Sequence, residues 1–298
     1  EDIKEIRPDI FLVNNDGDMN EKKILCDKYN VKYIVLPRVP KKGLEYRSST
    51  QLKKEGTLPY RICLAGGWMD QPFINNISPG SVVTIQVERK EGFMKRSGMA
   101  TSTRNTWQRL LKYHNNLDSC DNLEELARLL FACENPPGSK YISGSQDAIG
   151  LTHPGINKLY YKSNYWPVKI DTCLDNKICD WLEKHLVLVP ISERPSPYNP
   201  LLEKNISLSN VNFLSSAGNL CFQSILNMDL IGLGKSFTDT YNAWRKLLPF
   251  TSSYEIDKQV SHYLNFGTGA VLSGCGGGYI ILATDKKIES GFQISIIR

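Results

Sequence analysis

The stretch from Tyr60 to Pro72, YRICLAGGWMDQP, constrains this chain more than any other, because an apolar strand runs directly into two glycines and then a carboxylate. Ile62 to Leu64 carry the apolar, partly β-branched content of a short buried strand. The Gly66–Gly67 pair admits positive φ and lets a ligand approach bare backbone. Trp68 and Asp70 then supply an aromatic wall and a hydrogen-bond acceptor. On these residues alone two readings stand: a strand ending in a tight turn, and one wall of a binding site.

The 298 residues provide an ample core for one large domain or two smaller ones. Hydrophobic residues at 41% and charged residues at 22% fit a soluble globular protein rather than a disordered or fibrous one. The net charge of +5, without a dense Lys/Arg block interleaved with aromatics, argues against nucleic acid as a partner and suits a small anionic ligand such as a nucleotide. None of the eight cysteines forms a CxxC pair, and Cys173 and Cys179 lack a nearby His at zinc-ligand spacing, so scattered reduced thiols are expected. There is no apolar run long enough to span a bilayer and no charged-then-apolar leader. A cytoplasmic protein without a membrane partner is the expectation. Its opening, EDIKEIRPDIF, begins mid-pattern, as though residues upstream were missing.

From Ile10 to Leu36 the pattern is strand, helix, strand: DIFLVN, then EKKILCDKYN with apolar residues at helical spacing, then VKYIVLP. One βαβ unit is too little for a domain and must pack on something else. Ser48, Ser49 and Thr50 follow, placed either as a plain helix cap or as a phosphate contact at a helix N-terminus.

Beyond the glycine turn come a loop, QPFINNISPG, and an apolar strand, SVVTIQVE. In KEGFMKRSGMATSTRNTWQRLLKYH a glycine turn and hydroxyls precede a helix carrying Trp107, Leu110 and Leu111, with Lys95 and Arg96 close by. That order aims free backbone N–H groups at an anion, or merely caps a helix. The helix NLEELARLLFACENP places Glu134 at its C-terminal end, where the helix dipole disfavours a carboxylate. Asp147, among small residues in SGSQDAIG before a strand from Lys158 to Tyr161, reads as a turn cap or as a base for a substrate hydroxyl. A helix passing into an apolar strand (DNKICDWLEKHLVLVP) leads to a Pro-rich loop whose Arg194 reads as an anion contact or as a solvated charge. Two amphipathic helices, NVNFLSSAGNLCFQSILN and GKSFTDTYNAWRKLL, are assigned to core, their aromatics Phe213, Phe222, Tyr241 and Trp244 included. Last, Gly276 to Gly278 stand immediately before an apolar strand, bare enough for close backbone approach.

Two resemblances organise these pieces. DIFLVNNDGDMNEKKILCDKYNVKYIVLPR followed by GLEYRSST resembles the C-terminal half of a cytidylyltransferase-like nucleotidyltransferase domain. That family would place Arg47, Ser48, Ser49 and Thr50 on nucleotide phosphates, and its HxGH motif is absent from this chain. From about Leu58 to Arg298, AGGWMD, SGMATST, GSQD and GAVLSGCGGGYIILA, in that order, resemble the GHMP small-molecule kinases, with the AGGW and QD variants similar to the fucokinase and heptose kinase branch. The fold this implies is α+β, a two-layer GHMP kinase domain over 56–298 preceded by a partial βαβ segment over 1–55.

The resemblance also implies ATP and Mg2+ as cofactors and a sugar as substrate, with transfer to a hydroxyl, by analogy the anomeric one, in a nucleotide-sugar type pathway. It makes Gly98, Met99, Ala100, Thr101, Ser102 and Thr103 the phosphate loop, with Thr101 or Ser102 and Glu134 on the metal. Asp147 would orient or deprotonate the attacking hydroxyl and Arg61 would stabilise developing charge, while Asp70 and Gly67 would face the sugar. Gly274, Gly276 and Gly277 would let the last loop pack on the phosphate loop and the substrate. Against the family pattern, the loop's proline is missing, Ala100 replaces its third glycine, and the stretch between Val87 and Gly98 is short. Two alternatives remain: a non-catalytic ligand-binding protein on the kinase fold, and a nucleotidyltransferase whose kinase-like part binds substrate.

Overall fold

The computed structural model describes residues 2–37, 58–90, 93–94, 96–113, 122–196 and 198–298. Contacts divide the chain into two compact units, Glu1–Lys53 and Lys54–Arg298. Lys95 and the hydroxyl run Ser48 to Thr50 lie outside the described residues.

In the first unit a short helix α1 (Asp2–Ile6) precedes β1 (Ile10–Asn14), α2 (Asn20–Lys28) and β2 (Lys32–Leu36). The two strands pair in parallel, Ile10 opposite Lys32, as a helical crossover requires. Ile3, Cys26 and Val31 form a small core with Phe11, Leu25, Tyr29 and Tyr33 packed on it. The apolar side chains of Ile10 and Leu12 stay about half exposed.

The second unit is built on two antiparallel sheets. The first joins β3 (Tyr60–Ala65), β4 (Gly80–Val87), β5 (Ile156–Tyr161) and β6 (Lys169–Cys173) in chain order. Every residue of β3 and β4 is buried, which explains why neither strand alternates in polarity. The second sheet runs β7 (Leu186–Pro190), β9 (Tyr279–Ala283), β8 (Gly269–Leu272). The C-terminal tail touches both, through bridges Val87–Ile296 and Leu188–Phe292.

Helices close these sheets. The stretch expected as a loop after the glycine turn holds a short helix α3 (Pro72–Asn75), begun by a proline at its first turn. Next come α4 (Thr101–Tyr113), α5 (Leu123–Glu134) and α6 (Gln146–Thr152), then α7 (Asn176–His185) and the long pair α8 (Leu208–Leu226) and α9 (Leu230–Leu247), and finally α10 (Tyr254–Tyr263). α8, α9 and α10 start on Ser207, Asp229 and Ser253, each accepting a backbone N–H of the first turn. The main core gathers Ile62, Leu64, Val82, Ile85, Leu214, Ile225 and Phe237 between sheet and helices. A second cluster, Leu58, Ala100, Trp107, Leu111, Leu126, Leu130, Ala148 and Leu151, pins α4 and α5 to α6. It runs from Ala100, just before α4, to Ala148, the neighbour of Asp147. Among the described residues no helix is long and apolar enough to cross a membrane.

Candidate active site

The glycine turn after β3 is shaped by what lies beneath it. Gly66 has φ +73° and sits on the Ser81 carbonyl, leaving no room for a Cβ. The Gly67 carbonyl accepts from Trp244 Nε1 at 2.9 Å. Trp244, assigned to core from its sequence, also lines the cavity described below. A turn closed by Met69 N–H to the Gly66 carbonyl (3.1 Å) puts Trp68 at its third position with φ +80°, where glycine or asparagine is the usual occupant. Trp68 Nε1 donates to Cys275 Sγ at 3.1 Å, so packing from the C-terminal loop holds this unfavourable conformation.

Asp70 ends the turn, 2% exposed, and accepts from the Gln146 backbone N–H at 3.4 Å. Burial pushes its pKa up to about 6, against the hydrogen bonds from Gln146 and the charge of Arg61. Gly144 lies flat on this carboxylate, and a Cβ there would overlap it. Arg61, 4% exposed on β3, donates from Nη2 to Asp147 Oδ1 in an ion pair. Its side chain crosses α6 over Gly150, the position that leaves it space. Burial lowers the Arg61 pKa, and its Nε has no hydrogen-bond partner. Asp147 itself belongs to the first turn of α6 rather than to a turn among small residues. Seven residues without clear apolar periodicity gave that helix little signal.

Gly98, Ala100, Thr101 and Ser102, of the residues expected to form a phosphate loop, contribute another part of the lining. Gly98 has φ +74° and Ala100 φ +56°, and α4 starts at Thr101. Gly98 meets Gly274 backbone to backbone: a Cβ on either would stand 2.5 or 2.6 Å from the other's Cα. Ser273 Oγ donates to the Ser97 carbonyl, tying the two loops together. Thr101 and Ser102 face the cavity, whereas Met99 is fully buried in the main core. Thr103, also buried, donates to Glu134 Oε2 at 2.6 Å, so the α5 carboxylate is held at the first turn of α4. No cluster of three or more His, Cys, Asp or Glu side chains forms among the described residues. The oxygen donors of Thr101, Ser102 and Glu134 at that helix start have the hard chemistry a divalent cation such as Mg2+ takes, completed by phosphate oxygens or water.

Gly276 and Gly277 do not line the cavity. They pack against Tyr198 and the Ser192–Arg194 backbone, and so serve loop packing rather than substrate contact. The cavity itself, about 510 Å³, is bounded by Arg61, Gly67, Trp68, Asp70 and Asp147 at one end and by Gly98, Ala100, Thr101, Ser102 and Gly274 at the other. Arg96 and Arg194 stand on its wall as well. The support residues Gly144, Gln146 and Gly150 escape the sequence, because their partners Asp70 and Arg61 are about 75 to 90 residues away.

The chain matches no protein-family model and no curated protein sequence. Solved structures do match: a galactokinase from Lactococcus lactis complexed with galactose (TM-score 0.57, 14% identity, covering 80% of this chain and 92% of that one), and a D-glycero-D-manno-heptose 1-phosphate kinase from Bacteroides thetaiotaomicron (0.52, 13%, 80% and 94%). A mevalonate kinase from Methanococcus jannaschii matches with TM-score 0.51 at 14% identity, covering 81% and 97%. The fold is that of the GHMP kinases. In this GHMP kinase fold the sequence-predicted Arg61, Asp70, Asp147, Gly98, Thr101, Ser102 and Gly274 share one cavity, while Met99, Thr103, Gly276 and Gly277 support it from behind.

Proposed function

We propose that the chain transfers the γ-phosphate of ATP to a hydroxyl of a sugar. The observation that carries this reading is the Arg61–Asp147 pair facing a glycine-bearing helix start across one cavity that also contains the buried carboxylate Asp70. The amides at Gly98 and at the start of α4 suit phosphate oxygens. Asp70 accepts from sugar hydroxyls, and Gly67 allows the ring to approach. Asp147 takes the proton of the attacking hydroxyl, held in position by Arg61. Thr101, Ser102 and Glu134 would hold Mg2+, whose charge offsets that of the β- and γ-phosphates. The solved galactokinase and heptose kinase supply the sugar class by likeness of fold.

Two finer readings go with it. Transfer to the anomeric hydroxyl is proposed by analogy, from the resemblance of the AGGW and QD variants to the fucokinase and heptose kinase branch. The parallel strand–helix–strand of the first unit favours a nucleotidyltransferase-type segment, and hence two steps towards a nucleotide-linked sugar. The test is ADP release with Mg-ATP across hexoses, heptoses and polyols, with Asp147→Asn beside the wild type. Sugar-dependent turnover that collapses in the variant is the expected result. ATP binding without turnover on any acceptor would leave a binding protein on this fold and overturn the kinase reading.

A further inference from the structure

Arg194 has a place that the preceding reading does not use. It follows β7 in the loop expected to be Pro-rich, and its backbone N–H donates to the Arg96 carbonyl at 3.1 Å, which anchors the loop beside the phosphate loop. Its Nη2 lies 3.1 Å from where a Cβ on Gly274 would stand, and Gly274 is the residue that touches Gly98. Arg61 and Cys275 line the same cavity; burial chiefly lowers the Arg61 pKa and raises that of Cys275, and the Arg194 charge adds to the first shift and opposes the second. The side chain leans on the Tyr198 ring, Cζ 5.1 Å from the centroid. Its Nε is buried and unpartnered, and no carboxylate among the described residues pairs with it.

A guanidinium with an unpartnered Nε thus stands beside the Gly98–Gly274 contact and lines the same cavity as the Arg61–Asp147 pair. Arg61, Arg96 and Arg194 outnumber the two carboxylates of this cavity, so it awaits negative charge. A planar guanidinium fork fits phosphoryl oxygens in pairs. A solvated surface arginine would instead expose Nε and lie outside the cavity.

Resting on the kinase reading, we propose that Arg194 is a catalytic residue that contacts the phosphoryl group in transit. In the step, the acceptor hydroxyl gives its proton to Asp147 and its oxygen forms the new bond to the γ-phosphorus. The bond from that phosphorus to the β,γ-bridging oxygen breaks, and ADP leaves with the electron pair. Arg194 donates to the non-bridging oxygens, whose charge must be held while neither bond is full.

The test compares wild type with Arg194→Gln and Arg194→Lys by steady-state kinetics, by separate binding of ATP and of sugar, and by binding of ADP with aluminium fluoride in the presence of sugar. Arg194→Gln is expected to lower kcat by about 100- to 1,000-fold, as loss of one charge-stabilising donor does. Its ATP and sugar affinities should stay within about threefold, while affinity for the aluminium fluoride complex falls with kcat. Arg194→Lys, keeping charge without the fork, should lie between the two, and its ATP affinity establishes that the site is folded. A loss confined to the sugar KM would move Arg194 to the acceptor, and a loss confined to ATP binding would move it to the ground-state nucleotide; either overturns the proposal. So does unchanged kcat. A wild type that releases no ADP with any sugar overturns the kinase reading and this assignment with it, and is told apart by the wild-type data alone.

Discussion

The two ends of the cavity are held by opposite means. At the end of Arg61, Asp70 and Asp147, side chains make the contacts: an ion pair, a buried carboxylate that accepts a backbone N–H, and an indole on a thiol. At the end of Gly98 and Gly274, the two glycines meet backbone to backbone. The first end can therefore be altered one functional group at a time and responds to pH. The second tolerates hardly any added atom.

Substitutions can break or sharpen that contrast. The largest effect is expected from Asp147→Asn, which keeps the shape of the side chain but removes the base: kcat for sugar-dependent ADP release should fall by about 10²- to 10⁴-fold, with melting temperature measured alongside to show the fold persists. At the backbone end, Gly98→Ala adds one methyl at φ +74° against Gly274, and should destabilise by about 1–3 kcal/mol in denaturant unfolding and weaken nucleotide binding. If Gly98→Ala were harmless while nucleotide still bound, the interlock of the two loops would not govern this end.

Asp70 gives the next effect, and its sign differs between binding and stability. Its carboxyl ionises only above about 6, and the ionised form is the better acceptor for sugar hydroxyls. Sugar KM should thus rise as pH falls below about 6, approaching tenfold per pH unit, and Asp70→Asn should flatten that rise. Because burial raises the pKa from 3.8, the folded chain binds the proton more tightly than the unfolded one, so this group's share of stability is greatest at low pH and is lost as pH rises through about 6. A KM that ignores pH over this window would take Asp70 out of the sugar site. The smallest effect is expected from Ala100→Gly, which relieves φ +56° and should stabilise by about 1 kcal/mol or less in the same unfolding measurement.

What was legible in the sequence follows the same divide. Strands β3, β4 and β9 stand out because buried, β-branched runs bounded by glycine have few other uses. The edge strand β6, with the polar sequence KIDTC, and the short helix α6 carry neither period strongly, and only packing defines them. Arg61, Asp70 and Asp147 were visible as members of ordered motifs. Gly144 and Gly150 were not, since a glycine that makes room for a carboxylate or an arginine from another element looks like any turn glycine. Trp244 was hidden in a helix whose amphipathic pattern accounted for it fully until its N–H met the Gly67 carbonyl.

The contact between the loops at Gly98 and Gly274 bears on how the chain folds. The accompanying bond from Ser273 to Ser97 spans 176 residues, so the glycine turn at Gly98 is held by a long-range contact despite reading as a local motif. Closing so long a loop costs more chain entropy than closing a local turn, so this contact is expected to form late in folding. A chain emerging from the ribosome would carry the SGMATST sequence long before it had anywhere to put a phosphate, and nucleotide binding would report that the last strands had arrived.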